Sequence, residues 1–449
     1  MIRIVRRSDL VIRGNWIALL LLFVGGGLLS AAASEGAASP WPAIRRARVE
    51  RLLPAAMQAA GADAWVVICR ENANDPLALH VGGENAGGQA AFLFFLKDGR
   101  VSSLAITPPG EATALKDIGL HDAYQVMERD ANLWAAVAEA LRERGATAVA
   151  VNCSARAVAD GLSHTQRREL EAALGAGWPG RLVSSEELVL TWLAVKLPEE
   201  VAVMREAARL TERLLHEAYA TVMPGQTTDA DVARFLKGRM RELGVGDAWA
   251  PDQNPNVNSG PDRGHSHSTG KIILPGDVIQ IDFGILVHGV WCSDLQRFAY
   301  VLREGEAAPP PEIRRYWQNA VQGHRRVLAA LRPGARGFEV DRVQREWMAA
   351  QGSLPVPWGT GHPVGYWAHD AGPMLTGGQP DRTPAGDALR VIAPGMVFAY
   401  DGFFCWPIEH QGRPATKTIS VEEMAVVTAT GAEYLIPPQE DLILIPPRR

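Results

Sequence analysis

The stretch Gly276–Arg297 constrains the fold of this chain more than any other. Two apolar runs, Val278–Ile281 and Leu295–Val301, flank a turn signal at His288-Gly289. Apolar runs of this length on either side of a glycine turn are typical of two antiparallel strands. The stretch therefore predicts a β-hairpin in the second half of the chain.

An aspartate stands at the inner end of each apolar run, at Asp282 and Asp294. If the turn centres on His288, the two aspartates lie six residues before it and six residues after it. They then face each other across the hairpin, with Cβ atoms ~4.5–5.5 Å apart. Two buried carboxylates at that distance repel each other, and a bound cation relieves the repulsion. The stretch alone leaves two interpretations open, a metal site or two solvated aspartates on an exposed face.

The length and composition of the chain predict a globular protein of more than one domain. It has 449 residues, a hydrophobic content of 47% and a charged content of 21%, values that are typical of a folded protein with two domains. Its net charge is −5 and it has no basic stripe, so nucleic acid is not expected as a partner.

Residues 1–33 have the pattern of a secretory signal peptide. A basic start precedes the apolar run Trp16–Leu29, and small residues follow at Ala31–Ala33. The stretch Trp16–Ala33 is also long enough for an uncleaved membrane anchor, but its consecutive glycines and small-residue end favour cleavage. We therefore expect a mature chain that begins near Ser34 and is exported, either to the periplasm or out of the cell.

Residues 42–192 alternate predicted strands and helices. Helical periodicity marks Ile44–Gly61, with a kink expected at Pro54. Apolar runs predict a strand at Ala91–Leu96 and its hairpin partner at Val101–Thr107. This alternation is typical of an α/β domain.

A second domain is predicted over residues 196–449, beginning at the helix-start signal Pro198–Glu200. Its long polar loop, Trp249–Thr269, contains His265 and His267 and ends shortly before the hairpin. A loop of this length inside a compact domain is usually functional. The loop therefore brings two candidate histidines close to the two aspartates.

Four residues further along the chain have the chemistry of metal ligands or of acid–base groups. His362 lies among the glycines of Gly359–Gly365, and His369 follows it after seven residues. Asp401 ends one apolar strand, and Glu422 precedes another. Each signal alone is weak, because a lone histidine after glycine is more often structural and an acid at a strand end is more often a cap.

Taken together, these residues resemble one family, the pita-bread metallopeptidases, which includes aminopeptidase P, Xaa-Pro dipeptidase, methionine aminopeptidase and creatinase. The resemblance covers Lys196–Pro447, and residues 42–192 resemble the N-terminal domain of the aminopeptidase P and creatinase branch. It implies an α/β N-terminal domain followed by an α+β pita-bread catalytic domain. The motifs that carry it are Ile281–Gly284, Cys292–Asp294, Gly361-His362 and Ile419–Thr428.

The resemblance implies a dinuclear metal site and two catalytic histidines that bind the substrate carbonyl and steady the intermediate. Oxygen ligands with one imidazole suit Mn, Zn, Co or Fe, and two manganese ions are the first expectation. Such a pair holds and activates a water. The implied metal ligands are Asp282, Asp294, His362, Asp401 and Glu422, and the implied catalytic residues are His265 and His369, with His267 as the rival of His265.

Three departures from the family pattern affect this site. The spacing from Asp282 to Asp294 is one residue longer than usual, and the turn near His288 can absorb that residue. Asp401 stands where the family has glutamate, so the reach of this ligand is shorter by one methylene. Ser420 stands where the family usually has arginine.

These features predict an exported dinuclear-metal peptidase that hydrolyses Xaa-Pro bonds of small peptides and forms the homodimer common in this branch. A membrane partner is expected only if residues 1–33 are not cleaved. Two alternatives stay open: a metal enzyme of the same fold that acts on a non-peptide small molecule, as a lyase or an amide or amidine hydrolase, and a catalytically weak binding homologue. Several tryptophans either line an apolar pocket for proline or belong to the core: Trp249, Trp291, Trp358, Trp367 and Trp406.

Overall fold

The computed structural model describes residues 38–128, 130–260, 265–410 and 412–447. The signal peptide predicted at residues 1–33 lies outside these ranges. No helix within the described ranges is both long enough and apolar enough to cross a membrane.

The first part of the chain forms a six-stranded sheet with helices packed around it. Its elements are α1 (Trp41–Arg51), α2 (Leu53–Ala59), β1 (Ala64–Arg70), α3 (Ala78–Val81), β2 (Gln89–Lys97), β3 (Arg100–Thr107), α4 (Pro109–Ile118), β4 (Ala123–Val126), α5 (Leu133–Glu143), β5 (Val149–Val151), α6 (His164–Leu174), β6 (Leu182–Ser184) and α7 (Glu186–Ala194). The strand order is β4-β3-β2-β1-β5-β6. The pairs β1/β2 and β2/β3 are antiparallel and the other pairs are parallel.

Local sequence explains two features of this part. Asp98 and Gly99 have φ values of 51° and 74°, and a tight turn between two strands needs such left-handed residues. The helix predicted over Ile44–Gly61 is split at Leu52 into α1 and α2. Pro54 lies in the first turn of α2, where its missing N–H is tolerated, and this explains the break.

The second part of the chain contains two further sheets and longer helices. Its elements are α8 (Pro198–Ala220), α9 (Asp229–Leu243), β7 (Gly246–Asp247), β8 (Asn256–Asn258), β9 (Val278–Phe283), β10 (Ile285–Val287), β11 (Trp291–Cys292), β12 (Leu295–Val301), α10 (Pro311–Ala330), α11 (Gly337–Ala350), β13 (Gly361–Pro363), β14 (Val397–His410), β15 (Arg413–Val427), β16 (Ala432–Tyr434) and β17 (Ile443–Ile445). Short 3-10 turns lie at Ala157–Ala159, Pro179–Arg181 and Gly386–Leu389.

The larger sheet of the second part has the order β13-β14-β15-β12-β9-β8, with β16 added to β15 and β17 added to β12. Neighbouring strands along the main path are antiparallel. The smaller sheet has the order β11-β10-β7. An α/β first part and an α+β second part are what the sequence predicts, while the division into domains at residues 192–196 stays a prediction.

Helix α8 packs against one side of the hairpin strands. Its Tyr219 lies in one apolar cluster with Ile279 and Ile281. Successive side chains of a strand point to opposite faces, so the residue next to Ile281, Asp282, points away from α8. This packing leaves the other face of β9 to polar side chains.

Helix α10 packs in the same way against β14. Its Val327 lies in one apolar cluster with Phe398 and Tyr400. These two aromatic residues alternate with the residues of the opposite face, which include Asp401. The two helices therefore bury the apolar sides of β9 and β14 and place both candidate aspartates on the remaining side.

Charged side chains are buried where the first part of the chain meets the second. Arg48 of α1 lies 2.6 Å from the Glu200 carboxylate of α8, and Lys196 lies 3.0 Å from Asp370. All four side chains have no exposed surface. The hydroxyl of Tyr366 also donates a hydrogen bond to Glu200, at 2.5 Å. We call the four charged residues the junction cluster.

Candidate metal centre

Four neighbouring strands bring polar side chains into one row across the larger sheet. Asp282 of β9 is paired with Gln296 of β12, and Gln296 is paired with Glu422 of β15. Glu422 is in turn paired with Asp401 of β14. Directly paired residues of antiparallel strands point to the same face of a sheet. We call these four residues the polar row, and it contains three of the five predicted metal ligands.

The predicted hairpin is present, but its register differs from the prediction. Three residues, His288–Val290, connect the paired ends of β10 and β11, and Asp282 faces Gln296 rather than Asp294. The prediction that the two aspartates lie directly opposite each other was wrong, because the turn centres on Gly289, one residue later than assumed. A shift of the centre by one residue moves each partner by two, so Asp294 stays on the same face as a diagonal neighbour of Asp282.

His362 and Asp294 complete the group beside the polar row. The Nε2 atom of His362 lies 3.8 Å from Asp294 Oδ2 and 3.8 Å from Glu422 Oε1. One ligand atom from each of these three residues lies within 4.8 Å of the other two. Strand β13 holds His362 at this point because His362 is paired with Ala399, two residues before Asp401.

The residues before His362 fix the position of β13. A Cβ atom at Gly361 would lie 2.4 Å from the backbone oxygen of Ala399, so the close approach of β13 to β14 needs glycine. The buried carboxylate of Asp341 accepts hydrogen bonds from the N–H and the hydroxyl of Thr360, at 3.1 and 2.7 Å. These contacts explain why the histidine is found among small residues.

The carboxyl groups of the site have raised pKa values. Burial, followed by repulsion from Glu422 and Asp282, raises the pKa of Asp294 well above its usual range. Burial, and then the same two neighbours, raises the pKa of Asp401 in the same way. Burial, and then Asp282, raises the pKa of Glu422 to about 8. The group is therefore short of positive charge.

His362 is arranged as a neutral ligand. Its Nδ1 lies 3.2 Å from the backbone oxygen of Pro363, and since a carbonyl only accepts, Nδ1 carries the proton and donates it. Burial, and then the neighbouring His369, lowers the pKa of His362 to about 3. The Nε2 lone pair therefore faces Asp294 and Glu422, the tautomer in which a histidine binds a metal.

The two predicted catalytic histidines lie beside these acids. His265 Nε2 lies 2.5 Å from Asp282 Oδ2, and this hydrogen bond raises the pKa of His265. The ring of His369 lies 4.1 Å from the ring of His362, centroid to centroid, and burial lowers its pKa. His265, rather than its rival His267, is the histidine seen to reach Asp282. The catalytic roles of His265 and His369 stay predictions.

The residues of the site fit a divalent cation. Asp282 Oδ1 and Asp401 Oδ1 are buried oxygen atoms that have no hydrogen-bond partner among the residues the structure describes. Within the described ranges, the ion pairs of the four acids involve histidine and no lysine or arginine. Buried carboxylates are stable when they are paired or when they bind a metal. Carboxylate oxygens with one imidazole nitrogen form a donor set that first-row divalent metals accept.

Two residues that line this group, Gln296 and Gln280, were not predicted from the sequence, and a third, Ser420, was given no contact there. Gln296 donates a hydrogen bond to Glu422 Oε2 at 3.1 Å, and Gln280 and Ser420 in turn contact Gln296. The sequence did contain a signal for the two glutamines. Each interrupts an otherwise apolar strand two residues from a candidate aspartate, a spacing that puts both side chains on the same face of the strand. Ser420 was noted only as a missing arginine, and neither Gln296 nor Gln280 was recognised as its neighbour.

The tryptophans near the motifs divide into two groups. Trp291 and Trp406 are buried in the apolar clusters and belong to the core. Trp358 and Trp367 are 43% and 38% exposed. This second pair, which flanks the strand of His362 in the sequence, is the more accessible for contact with a peptide. Trp249 belongs to neither pair, since it is half-buried and packs against an apolar cluster.

Comparison with known proteins shows where the chain belongs. A family model described as metallopeptidase family M24 matches residues 202–429, the region that holds every candidate site residue. The chain is similar to the uncharacterized peptidase YqhT of Bacillus subtilis, with 25% identity over 266 residues that cover 59% of this chain and 68% of that protein. It is also similar to the probable dipeptidase PepE of Mycobacterium tuberculosis, with 26% identity over 296 residues that cover 65% and 70%.

Solved structures share the fold of this chain. The Xaa-Pro dipeptidase from Bacillus anthracis superposes with a TM-score of 0.65 at 20% identity, over 90% of this chain and 100% of that one. The X-Pro aminopeptidase from Thermotoga maritima has a TM-score of 0.65 at 20% identity, over 87% and 100%. The predicted fold class, an α/β part followed by an α+β pita-bread part, is confirmed.

Proposed function

The chain belongs to metallopeptidase family M24, and we propose that it hydrolyses Xaa-Pro bonds of small peptides with two divalent metal ions bound at the polar row. The observation that carries the proposal is the group of buried acids that no lysine or arginine of the described residues neutralises. Peptidases of the family generally depend on divalent metals, and this group is the chemistry that such a dependence requires.

The proposed metal ligands divide between the polar row and its neighbours. Asp282, Asp401 and Glu422 supply carboxylates from three paired strands. Asp294 and His362 add a carboxylate and a neutral imidazole beside the row. Bound metals supply Lewis-acid activation of a water and of the scissile carbonyl.

The two histidines act on the substrate in this proposal. The hydrogen bond between His265 Nε2 and Asp282 favours the protonated ring, so the second N–H of that ring, at Nδ1, can donate a hydrogen bond to the carbonyl oxygen of a bound peptide. His369 lies against His362 with a lowered pKa, so it is neutral at pH 7 and can accept or donate one proton. Both roles are those of general acid–base groups.

The choice of Xaa-Pro peptides rests on two supports. The similar proteins with a named substrate class include the Xaa-Pro dipeptidase of Pyrococcus furiosus, 23% identical over 253 residues, besides the two solved structures. The exposed rings of Trp358 and Trp367 also offer apolar surface to a proline ring. Manganese as the metal and a homodimer as the assembly are part of the proposal, and metal analysis and light scattering test them.

Export is the remaining part of the proposal, and its support is the signal-peptide pattern of residues 1–33. Expression with and without these residues, followed by cell fractionation, tests it. Full-length chain is expected outside the cytoplasm and shortened to about Ser34. Retention of both forms in the cytoplasm would contradict export.

The central experiment measures cleavage of Xaa-Pro dipeptides and tripeptides by metal-free protein after addition of Mn²⁺, Zn²⁺, Co²⁺ or Fe²⁺. Xaa-Ala peptides of the same length serve as substrate controls. We expect metal-dependent cleavage of the proline peptides, lost in Asp282→Asn because an amide cannot replace a charged ligand. Asp277→Asn, the same change on the approach to β9, is the matched control and is expected to keep activity.

Three results would contradict this proposal or its site. Metal binding without cleavage of any Xaa-Pro peptide would leave a metal enzyme with another small substrate, an alternative that Asp401 in place of glutamate already suggests. Failure to bind any of the four ions would leave a binding homologue. Unchanged turnover by Asp282→Asn would mean that the assignment of the site is wrong.

A further inference from the structure

One member of the polar row is neutral. Gln296 lies between Asp282 and Glu422 in the pairing of the strands, and its side chain is buried. A buried amide is stable only when its donor and acceptor groups find partners. The partners of Gln296 therefore decide what this residue does beside two carboxylates.

Two neighbours fix the orientation of the Gln296 amide. Its Oε1 accepts hydrogen bonds from Gln280 Nε2 at 2.5 Å and from the Ser420 hydroxyl at 2.9 Å. Since Oε1 has two donors, the NH₂ group of Gln296 must point the other way. There it meets Oε2 of Glu422 at 3.1 Å. A reversed amide would set an oxygen against the carboxylate and an NH₂ group against Gln280.

This hydrogen bond determines which oxygen Glu422 presents. Gln296 holds Oε2, while Oε1 lies 3.8 Å from Nε2 of His362. The terminal torsion of a free glutamate side chain is soft, so a lone carboxylate at this position would sample several orientations. The donor keeps Oε1 within the group formed with His362 and Asp294.

Gln296 carries no charge, and this affects how the site attracts a cation. A guanidinium beside Glu422 would hold the carboxylate, but its positive charge would repel an incoming cation. An amide donates a hydrogen bond without that repulsion. The Gln296–Gln280–Ser420 group thus orders the ligand and leaves the negative charge of the site unreduced.

We propose that Gln296, oriented by Gln280 and Ser420, is a positioning residue that holds Glu422 for a divalent cation and so raises the affinity of the site. The proposal rests on the metal site of the proposed function and not on its substrate. Hydrogen-bond partners of metal ligands commonly change affinity by about 10- to 100-fold. That range sets the expected effect.

The test replaces the amide by a side chain of equal length without a donor, Gln296→Met. Metal-free full-length variant is expected to bind Mn²⁺ about 10- to 100-fold more weakly than wild type in isothermal titration calorimetry. The visible absorption spectrum of the Co²⁺ form, which reports ligand geometry, is expected to shift.

Gln439→Met is the matched control. Gln439 is also buried, and its amide bonds to the backbone N–H and oxygen of Phe298, at 2.9 and 2.7 Å, on the same strand β12. The change removes a buried amide without touching a candidate ligand. It is expected to keep the Mn²⁺ affinity and the Co²⁺ spectrum of wild type, and an equal loss in both variants would overturn the proposal.

Circular dichroism of the metal-free proteins checks that each variant is folded. If Gln296→Met does not fold, Ser420→Ala decides, because it removes one of the two donors that orient the amide and is expected to weaken Mn²⁺ binding by a smaller factor. Wild-type affinity in whichever of the two is folded would overturn the proposal. Failure of the proposed function would give a different result: the wild-type protein would bind Mn²⁺ but would cleave no Xaa-Pro peptide.

Discussion

The junction cluster and the polar row both bury acids, yet they treat the charge in opposite ways. In the junction cluster each acid has its own cation, Arg48 for Glu200 and Lys196 for Asp370, at 2.6 and 3.0 Å. In the polar row and at Asp294, acids face one another, and the described residues bring histidine but no lysine or arginine to them. The first group is complete within the chain.

Two glutamates show what the difference means. Burial alone would raise the pKa of Glu200, but Arg48, the Tyr366 hydroxyl and the Leu197 N–H hold it below its ordinary value. Burial and Asp282 raise the pKa of Glu422 to about 8. Both side chains are equally removed from water, so the sign of the neighbouring charge decides the outcome. Burial of an acid marks a functional site only where the chain supplies too little positive charge.

The largest expected effect comes from removing one cation of the junction cluster. Arg48→Met leaves Glu200 as a buried charge without its cation, and the loss of one partner of a buried pair costs about 3–5 kcal/mol of unfolding free energy. Urea denaturation followed by circular dichroism measures the change.

The control for this variant lies one turn away on the same helix. Arg51 pairs with Glu199 at 2.8 Å, but both side chains are about half exposed, 46% and 52%. Arg51→Met is expected to cost less than about 1 kcal/mol, because exposed ion pairs contribute little. Equal costs for the two variants would show that the junction cluster is not balanced as described.

The second-largest expected effect comes from adding a cation to the acids of the polar row and Asp294. Free Mn²⁺ at 100 times its dissociation constant is expected to raise the unfolding free energy of the wild type by about 2.7 kcal/mol, since the ion binds the folded state. Asp294→Asn removes a candidate ligand and is expected to lose most of this gain, while Asp277→Asn keeps it. A gain of the same size in Asp294→Asn would remove Asp294 from the site.

The smallest effect, when it is counted per pH unit, is a difference in the pH dependence of stability between the two groups. In metal-free protein the pKa of Glu422 is about 8 against an ordinary 4.5, so between these values the folded state holds a proton that the unfolded state releases. Stability is therefore expected to fall as pH rises, by up to ~1.4 kcal/mol per pH unit for one such proton. Glu422→Gln should flatten this slope in urea titrations between pH 5 and about 8.

Glu200 affects the pH dependence of stability in the opposite direction. Its pKa is below the ordinary value, so its contribution to stability is present above pH 4.5 and is lost only as the pH falls through the folded value. Saturating Mn²⁺ should also abolish the slope that Glu422 causes between pH 5 and about 8, because a metal ligand is deprotonated in the folded state as it already is in the unfolded state. Stability that rises with pH in the metal-free wild type would contradict the raised pKa of Glu422.

Much of the site was predictable because its signals are local. Asp282, Asp294 and Asp401 each stand at the end of an apolar run, and His362 stands among glycines. The alternation of strand side chains then carries them to one face without further information. The order of these residues along the chain sufficed to identify the fold.

The remainder depends on contacts between distant residues. The centre of the turn, at Gly289 rather than His288, sets which residue faces Asp282, and no local pattern shows it. The partner of Arg48 lies 152 positions away, and Gln296 meets Glu422 from another strand. Helices α10 and α11 were not predicted, although Pro311 at the start of α10 is a residue typical of the first turn of a helix.

Two adjacent glutamates give the register of β15 an unusual importance. Glu422 points to the polar row, and Glu423 points to the other face, where the buried Arg297 lies 3.1 Å from its carboxylate. A slip of β15 by one residue would exchange the two faces and still present a carboxylate to the site. The guanidinium of Arg297 also donates to the backbone oxygen of Glu422 at 2.9 Å, so it recognises both side chain and backbone of the correct alignment. The ion pair behind the sheet thus favours the observed register, and the accuracy of strand pairing determines which glutamate reaches the candidate metal site.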